Sequence, residues 1–178
     1  MSETLRLVQL GSTVDYSIER LSERLSERFA DYRIEVSEPL DIPKMAFDSF
    51  RNQYHSTRIL AILEEYAERT EAEHVLGVAR FDLFVPGMNF VFGEARCPGA
   101  AAVISTYRLK TASPGNPDLL GNRTVKEAVH EIGHMLGLRH CSTASCVMYF
   151  SERLADTDRK AEQFCSECER RVRWLEVE

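Results

Sequence analysis

The stretch HEIGHMLGLRH, residues 130–140, constrains this chain more than any other. In a helix, His130 and His134 stand at i and i+4, so their imidazoles project from one face, a turn apart. Both nitrogens can then reach one tetrahedral ion at about 2.0–2.1 Å. Glu131 is rotated from His130 by about a third of a turn, so it can reach a water on the ion without becoming a ligand itself. Gly137 allows the chain to leave the helix with a positive φ, and the turn brings His140 back as a third ligand. Three protein ligands leave a fourth position for water, the pattern of a catalytic rather than a structural zinc. Neutral histidines leave the ion's charge available to lower the pKa of that water. Glu131 is then the general base. An HExxH alone recurs by chance in helices, but the added glycine and third histidine sit where the geometry needs them.

Sulfur takes over where nitrogen ends. Cys141 directly follows His140, and Cys141-x4-Cys146 and Cys165-x2-Cys168 form two pairs. Four thiolates at such spacing suit a closed, structural zinc. A redox-active CSEC would prefer the βα context of thioredoxin-like motifs, two disulfides are disfavoured in a reducing compartment, and an iron–sulfur cluster is a further alternative. On the zinc reading, two ions share one stretch of backbone, and the structural ion steadies the loop carrying His140. Cys97 stands apart and reads as a small buried hydrophobe without a role. His55 and His74 lack ligand-spaced partners and read as surface or packing residues.

The rest of the chain bounds the frame. Its 178 residues fit one domain able to bury a core without disulfide staples. A net charge of −6 argues against a nucleic-acid partner. No run of about 18 apolar residues offers a membrane span, and the N-terminus shows no basic region followed by an apolar one, so a cytoplasmic chain is expected.

Period-2 and period-3.6 patterns place strands at 5–11 and 33–38 around a helix at 15–29 capped by Asp15 or Thr13, a β-α-β opening with parallel strands. A second helix follows at 56–72. Strands are expected at 74–85, 89–96 and 101–109, then a Gly/Pro-rich loop at 111–122. Asn122 or Thr124 would cap the helix carrying His130, and residues 156–176 have helical composition.

The segment HEIGHMLGLRH resembles the metzincin metallopeptidase signature. With Cys141, Cys146, Met148 and CSEC, and with DLFVPGMNFVFGEA (82–95) and AAVISTYRL (101–109), the chain resembles the archaemetzincin family over most of its length. The resemblance implies an α/β (α+β) metzincin-like fold: a five-stranded mixed sheet with a backing helix and an active-site helix. An upper subdomain would cover 1–137 and a small C-terminal subdomain 138–178, the latter with the Met-turn at Met148 and the four-cysteine site. It also implies that the antiparallel edge strand, best matched by NFVFGEAR, pairs with an extended peptide or protein substrate. Tyr149 follows the Met-turn methionine one residue earlier than the tyrosine that acts in some metzincins, and is taken as packing. Latency through a long N-terminal propeptide is not expected. The expected activity is zinc-dependent peptide hydrolysis by a monomer. An amidase or deacylase, or a peptide binder with little turnover, would use the same residues.

Overall fold

The computed structural model describes residues 3–110 and 117–175. It opens with strand β1 (Thr4–Leu10), helix α1 (Ile18–Arg28) and strand β2 (Arg33–Leu40), with β1 and β2 parallel as the β-α-β pattern requires. Ile18, Leu21, Leu25 and Phe29 form the buried stripe of α1. Each leucine fully removed from water contributes about 2 kcal/mol. The cap of α1 is Ser17, whose side chain accepts from the Arg20 amide, rather than Asp15 or Thr13. Those two are engaged elsewhere: Asp15 accepts from Thr106 at 2.9 Å, and Thr13 from Arg80 at 2.7 Å.

The short strands β3 (Phe47–Asp48) and β4 (Gln53–His55) lead into helix α2 (Ser56–Thr70). Strand β5 (His74–Ala79) returns to the main sheet and pairs parallel with β1. The single strand expected over 74–85 is split, because β6 (Leu83–Phe84) leaves the sheet and pairs with β4. The break falls at Asp82, which Arg108 and Gln53 bind.

Strand β7 (Gly93–Ala95) is also shorter than the expected 89–96, since Val91 bridges to Leu83 instead. Strand β8 (Ala101–Ser105) completes a five-stranded sheet in the order β2-β1-β5-β8-β7, with only β7 antiparallel. The small β3-β4-β6 sheet was not foreseen. Alternate residues of the central strands enter two cores: Leu7, Leu76 and Ile104 meet α1 and the active-site helix, while Val8, Val75 and Val103 meet α2. A strand buried on both faces reads as a continuous apolar run, as β5 and β8 do.

Helix α3 (Pro117–Met135) carries the first two histidines. It begins before the expected caps, with Pro117 in the first helical position and Asp118 in the first turn. Asn122 and Thr124 lie inside it: Asn122 accepts from Arg24 at 2.9 Å, and Thr124 donates to the Leu120 carbonyl at 2.8 Å. Of the loop expected at 111–122, residues 111–116 lie outside the described residues.

The C-terminal helical composition becomes two helices, α4 (Leu154–Arg159) and α5 (Ser166–Leu175). Between them the chain runs against the cysteine loop, with Ala161 N bonded to Ser145 O and Val147 N to Gln163 O. Cys146, Val147, Met148, Phe164, Cys168 and Val172 are buried in the same core as α1 and α3. No helix of the described residues is long and apolar enough to cross a membrane.

Candidate active site

Helix α3 ends at Met135, and Gly137 adopts φ +91°, the left-handed turn the glycine was expected to supply. The turn brings His140 to His130 and His134: the ring centroids are 4.7, 5.4 and 4.9 Å apart. One nitrogen from each imidazole lies within 4.8 Å of the others, and the Nε2 atoms of His130 and His134 are 3.1 Å apart. Zinc–nitrogen bonds of about 2.0–2.1 Å give a tetrahedron with edges of about 3.3 Å, so the donors fit that ion.

The remaining ring nitrogens are fixed by backbone. His130 Nδ1 lies 2.7 Å from the Val147 carbonyl, and His134 Nδ1 is 2.7 Å from that of Leu138. Donation there leaves each Nε2 lone pair turned to the shared centre. Burial pushes all three imidazoles down, His134 to about 4, which keeps them in the neutral form that binds metal.

Glu131 is buried, and burial together with the Glu127 charge raises its pKa well above the usual carboxylate range. Met148 packs beneath the helix at Gly133, where an added β-carbon would lie 2.5 Å from its sulfur. A cleft of about 640 Å³ opens over these groups, lined by the histidines, Glu131, β7 and the segment before it, Arg139, and Phe150 to Glu152. Strand β7 is the sheet edge, and the Glu94 side chain fastens it to the start of α2 through the Ser56 and Thr57 hydroxyls.

Cys141, Cys146, Cys165 and Cys168 converge as a second cluster, their sulfurs within 4.8 Å of one another. Cys141 and Cys165 sulfurs are 3.8 Å apart, the edge of a tetrahedron with zinc–sulfur bonds of about 2.3 Å. All are free thiols, which sets aside the disulfide alternative in this structure. A hydrogen bond from the Cys168 backbone, with help from neighbouring thiols, holds Cys165 down to about 7. Burial pushes Cys146 and Cys168 up.

The two clusters are joined by more than sequence, since the Val147 carbonyl that faces His130 Nδ1 directly follows Cys146. His55 and His74 belong to neither cluster: His55 packs on Phe84 at 5.1 Å, and His74 lies 3.3 Å from the Gly99 carbonyl. Tyr149 does not line the cleft, whereas Phe150 does, with its ring 4.9 Å from that of His140.

Cys97 is not the buried hydrophobe expected. It is exposed at the cleft rim and donates to the Leu138 carbonyl at 3.3 Å. Sequence reasoning missed Glu127 and Lys160, a buried ion pair of 3.0 Å whose carboxylate also accepts from Thr157 at 2.9 Å. Helical spacing alone could have flagged Glu127, a turn before Glu131. Lys160 carries no local signal.

A mixed sheet whose antiparallel edge lies over a three-histidine centre with a buried glutamate defines a zinc metallopeptidase. The profile of Peptidase family M54 matches residues 4–174. An archaemetzincin of Archaeoglobus fulgidus is 42% identical over 94% of this chain and 98% of its own length. The crystal structure of the Methanopyrus kandleri archaemetzincin superposes with a TM-score of 0.89 at 35% identity, covering 99% of this chain and 96% of that one. The Archaeoglobus fulgidus archaemetzincin complexed with malonate gives 0.83 at 41% identity, over 94% and 99%. The chain belongs to peptidase family M54, the archaemetzincins.

Proposed function

We propose that the chain hydrolyses peptide bonds with Glu131 as general base and with zinc held by His130, His134 and His140, while Cys141, Cys146, Cys165 and Cys168 hold a second, structural zinc. The carrying observation is the convergence of three neutral imidazoles beside a buried carboxylate under the sheet edge. Zinc bound there supplies a Lewis acid that polarises the scissile carbonyl and lowers the pKa of a water. Glu131 accepts the proton as water attacks and passes it to the departing amine. The unpaired edge of β7 aligns an extended peptide by strand addition, and its closeness to Glu131 fixes the carbonyl's height over the centre.

Residues 1–137 then form the upper wall of the cleft and 138–178 the lower one, two subdomains sharing one core rather than folding apart. A cytoplasmic monomer without nucleic-acid or membrane partners completes the reading, because clustered thiols serve as ligands only while reduced. The test combines metal analysis with peptide-library digestion of the wild type and Glu131→Gln. Two zincs per chain in both proteins, with turnover only in the wild type, is the expected result. One zinc per chain overturns the two-site assignment, and turnover by the variant overturns the role of Glu131. Cleavage of acyl amides but no peptides would make the chain an amidase.

A further inference from the structure

The cleft wall formed by residues 85–92 has little regular structure, yet it is held from behind at many points. Arg108 donates twice to Asp82, at 2.8 and 2.7 Å, and its guanidinium lies 4.2 Å over the Phe90 ring. Gln53 donates to Asp82 and to the Asn89 carbonyl, each at 2.9 Å. Arg51 donates to the Met88 and Asn89 carbonyls at 2.9 and 3.1 Å and stacks 4.2 Å over Phe84. Phe90 meets Phe92 edge to face at 5.2 Å, and both line the cleft with Met88, Val91 and, from the far side of the chain, Phe150.

None of the three clamping side chains lines the cleft. A bidentate arginine pair and a cation–π stack are rigid, directional contacts. They fix where Phe90 and Phe92 stand, which a Pro-Gly turn alone would not. A rigid apolar wall beside the reacting centre discriminates among side chains by the water they displace.

We propose that Arg108 and Arg51 are specificity-positioning residues: by clamping the 85–92 wall they hold Phe90 and Phe92 as an apolar subsite for a large aromatic or aliphatic side chain of the peptide. The proposal rests on the peptidase reading and refines it to a substrate class, peptides with a bulky apolar residue close to the scissile bond. Arg108 and Arg51 touch no substrate. They act through the wall.

The test uses the zinc-loaded protein and two peptide hydroxamates that differ only in carrying Phe or Ala at one position, with affinities measured by calorimetry beside hydrolysis of the matching peptides. The Phe ligand should bind about tenfold or more tightly than the Ala ligand to the wild type. Phe90→Ala and Arg108→Met should each shrink that ratio to about twofold, the greater loss of affinity falling on the Phe ligand. Arg51→Met, at an exposed residue, should shrink the ratio as well and keeps the test of the clamp valid should Arg108→Met fold poorly; a wild-type ratio in both arginine variants overturns their role. Equal binding of the two ligands by the wild type, or equal weakening of both in Phe90→Ala, overturns the proposal. A Phe preference among hydroxamates with no hydrolysis of any peptide overturns the peptidase reading while the subsite stands.

Discussion

Gly93 on the edge strand and Glu131 on the active-site helix leave no space between them: a β-carbon built on Gly93 falls 2.6 Å from Oε1 of Glu131 and 2.7 Å from the Val103 carbonyl. Neither neighbour can yield freely, since one is a buried carboxylate and the other a backbone group in the β7–β8 ladder. Gly93→Ala should therefore displace the edge strand or the base and lower kcat/KM by about 100-fold, the scale of a 1 Å misplacement. Zinc content should stay as in the wild type. Activity within twofold of wild type would show that the closeness is incidental.

Glu131→Gln should remove turnover by about 10²–10⁴-fold, the usual contribution of a general base. The same variant should stabilise the metal-free protein at neutral pH. Glu131's folded pKa is raised above its unfolded value, so above the unfolded pKa the native state binds more protons and stability falls as pH rises. Glutamine has no charge to bury and removes that loss. Urea unfolding of chelated protein at pH 7 checks the sign: a variant less stable than wild type contradicts it.

The histidines give the opposite pH dependence. His134 is depressed to about 4 in the fold, and His130 and His140 are also lowered. The unfolded chain thus binds more protons between about pH 6.5 and 4, and stability of the metal-free protein falls as pH drops through that window. His74, also lowered by burial, adds to the trend in the same direction. Zinc affinity should fall over a similar range, because a protonated imidazole has no lone pair to offer. Chelator competition at pH 7 and pH 5 measures it, and equal affinities would contradict the three-histidine assignment.

Lys160 has no exposed side-chain surface and depends on Glu127. Lys160→Met leaves that carboxylate buried without its cation and should cost about 3–5 kcal/mol. The double variant Lys160→Met/Glu127→Leu should recover most of the loss, because replacing both partners by apolar groups is often nearly neutral. Denaturant titrations of the wild type, both single variants and the double variant decide it, and an additive double variant would mean the two residues do not act as a pair.

Cys165→Ser should reduce zinc from two to one per chain and weaken the ion at the histidines by about 10–100-fold, the range for a lost supporting contact. The path is short: the Cys165 and Cys141 sulfurs are 3.8 Å apart, and Cys141 is bonded to the histidine it follows. Unchanged affinity at the histidines would mean that the loop is held by packing alone.

The convergence of the three histidines was legible in the sequence because the proposed ligands are local. His130, His134, His140 and Cys141 are fixed by helical spacing and one left-handed glycine. The parallel β-α-β opening was legible through periodicity for the same reason. What escaped depends on contacts distant in sequence. The 74–85 run looks like one strand until Arg108 and Gln53 seize Asp82. Asn122 looks like a cap until Arg24 claims its side chain from 98 residues away. Cys97 looked like core material, and only the turn after α3 puts the Leu138 carbonyl beside it. Apolar pattern does not encode such partners.

A single peptide bond separates His140 from Cys141, the last nitrogen donor from the first sulfur donor of the proposed ligand sets. On the proposed assignment no residue can be inserted into or removed from the 134–141 stretch without moving donors of both centres at once. On that assignment the length from His134 to Cys141 belongs to both centres, and one added or lost residue there is felt at each.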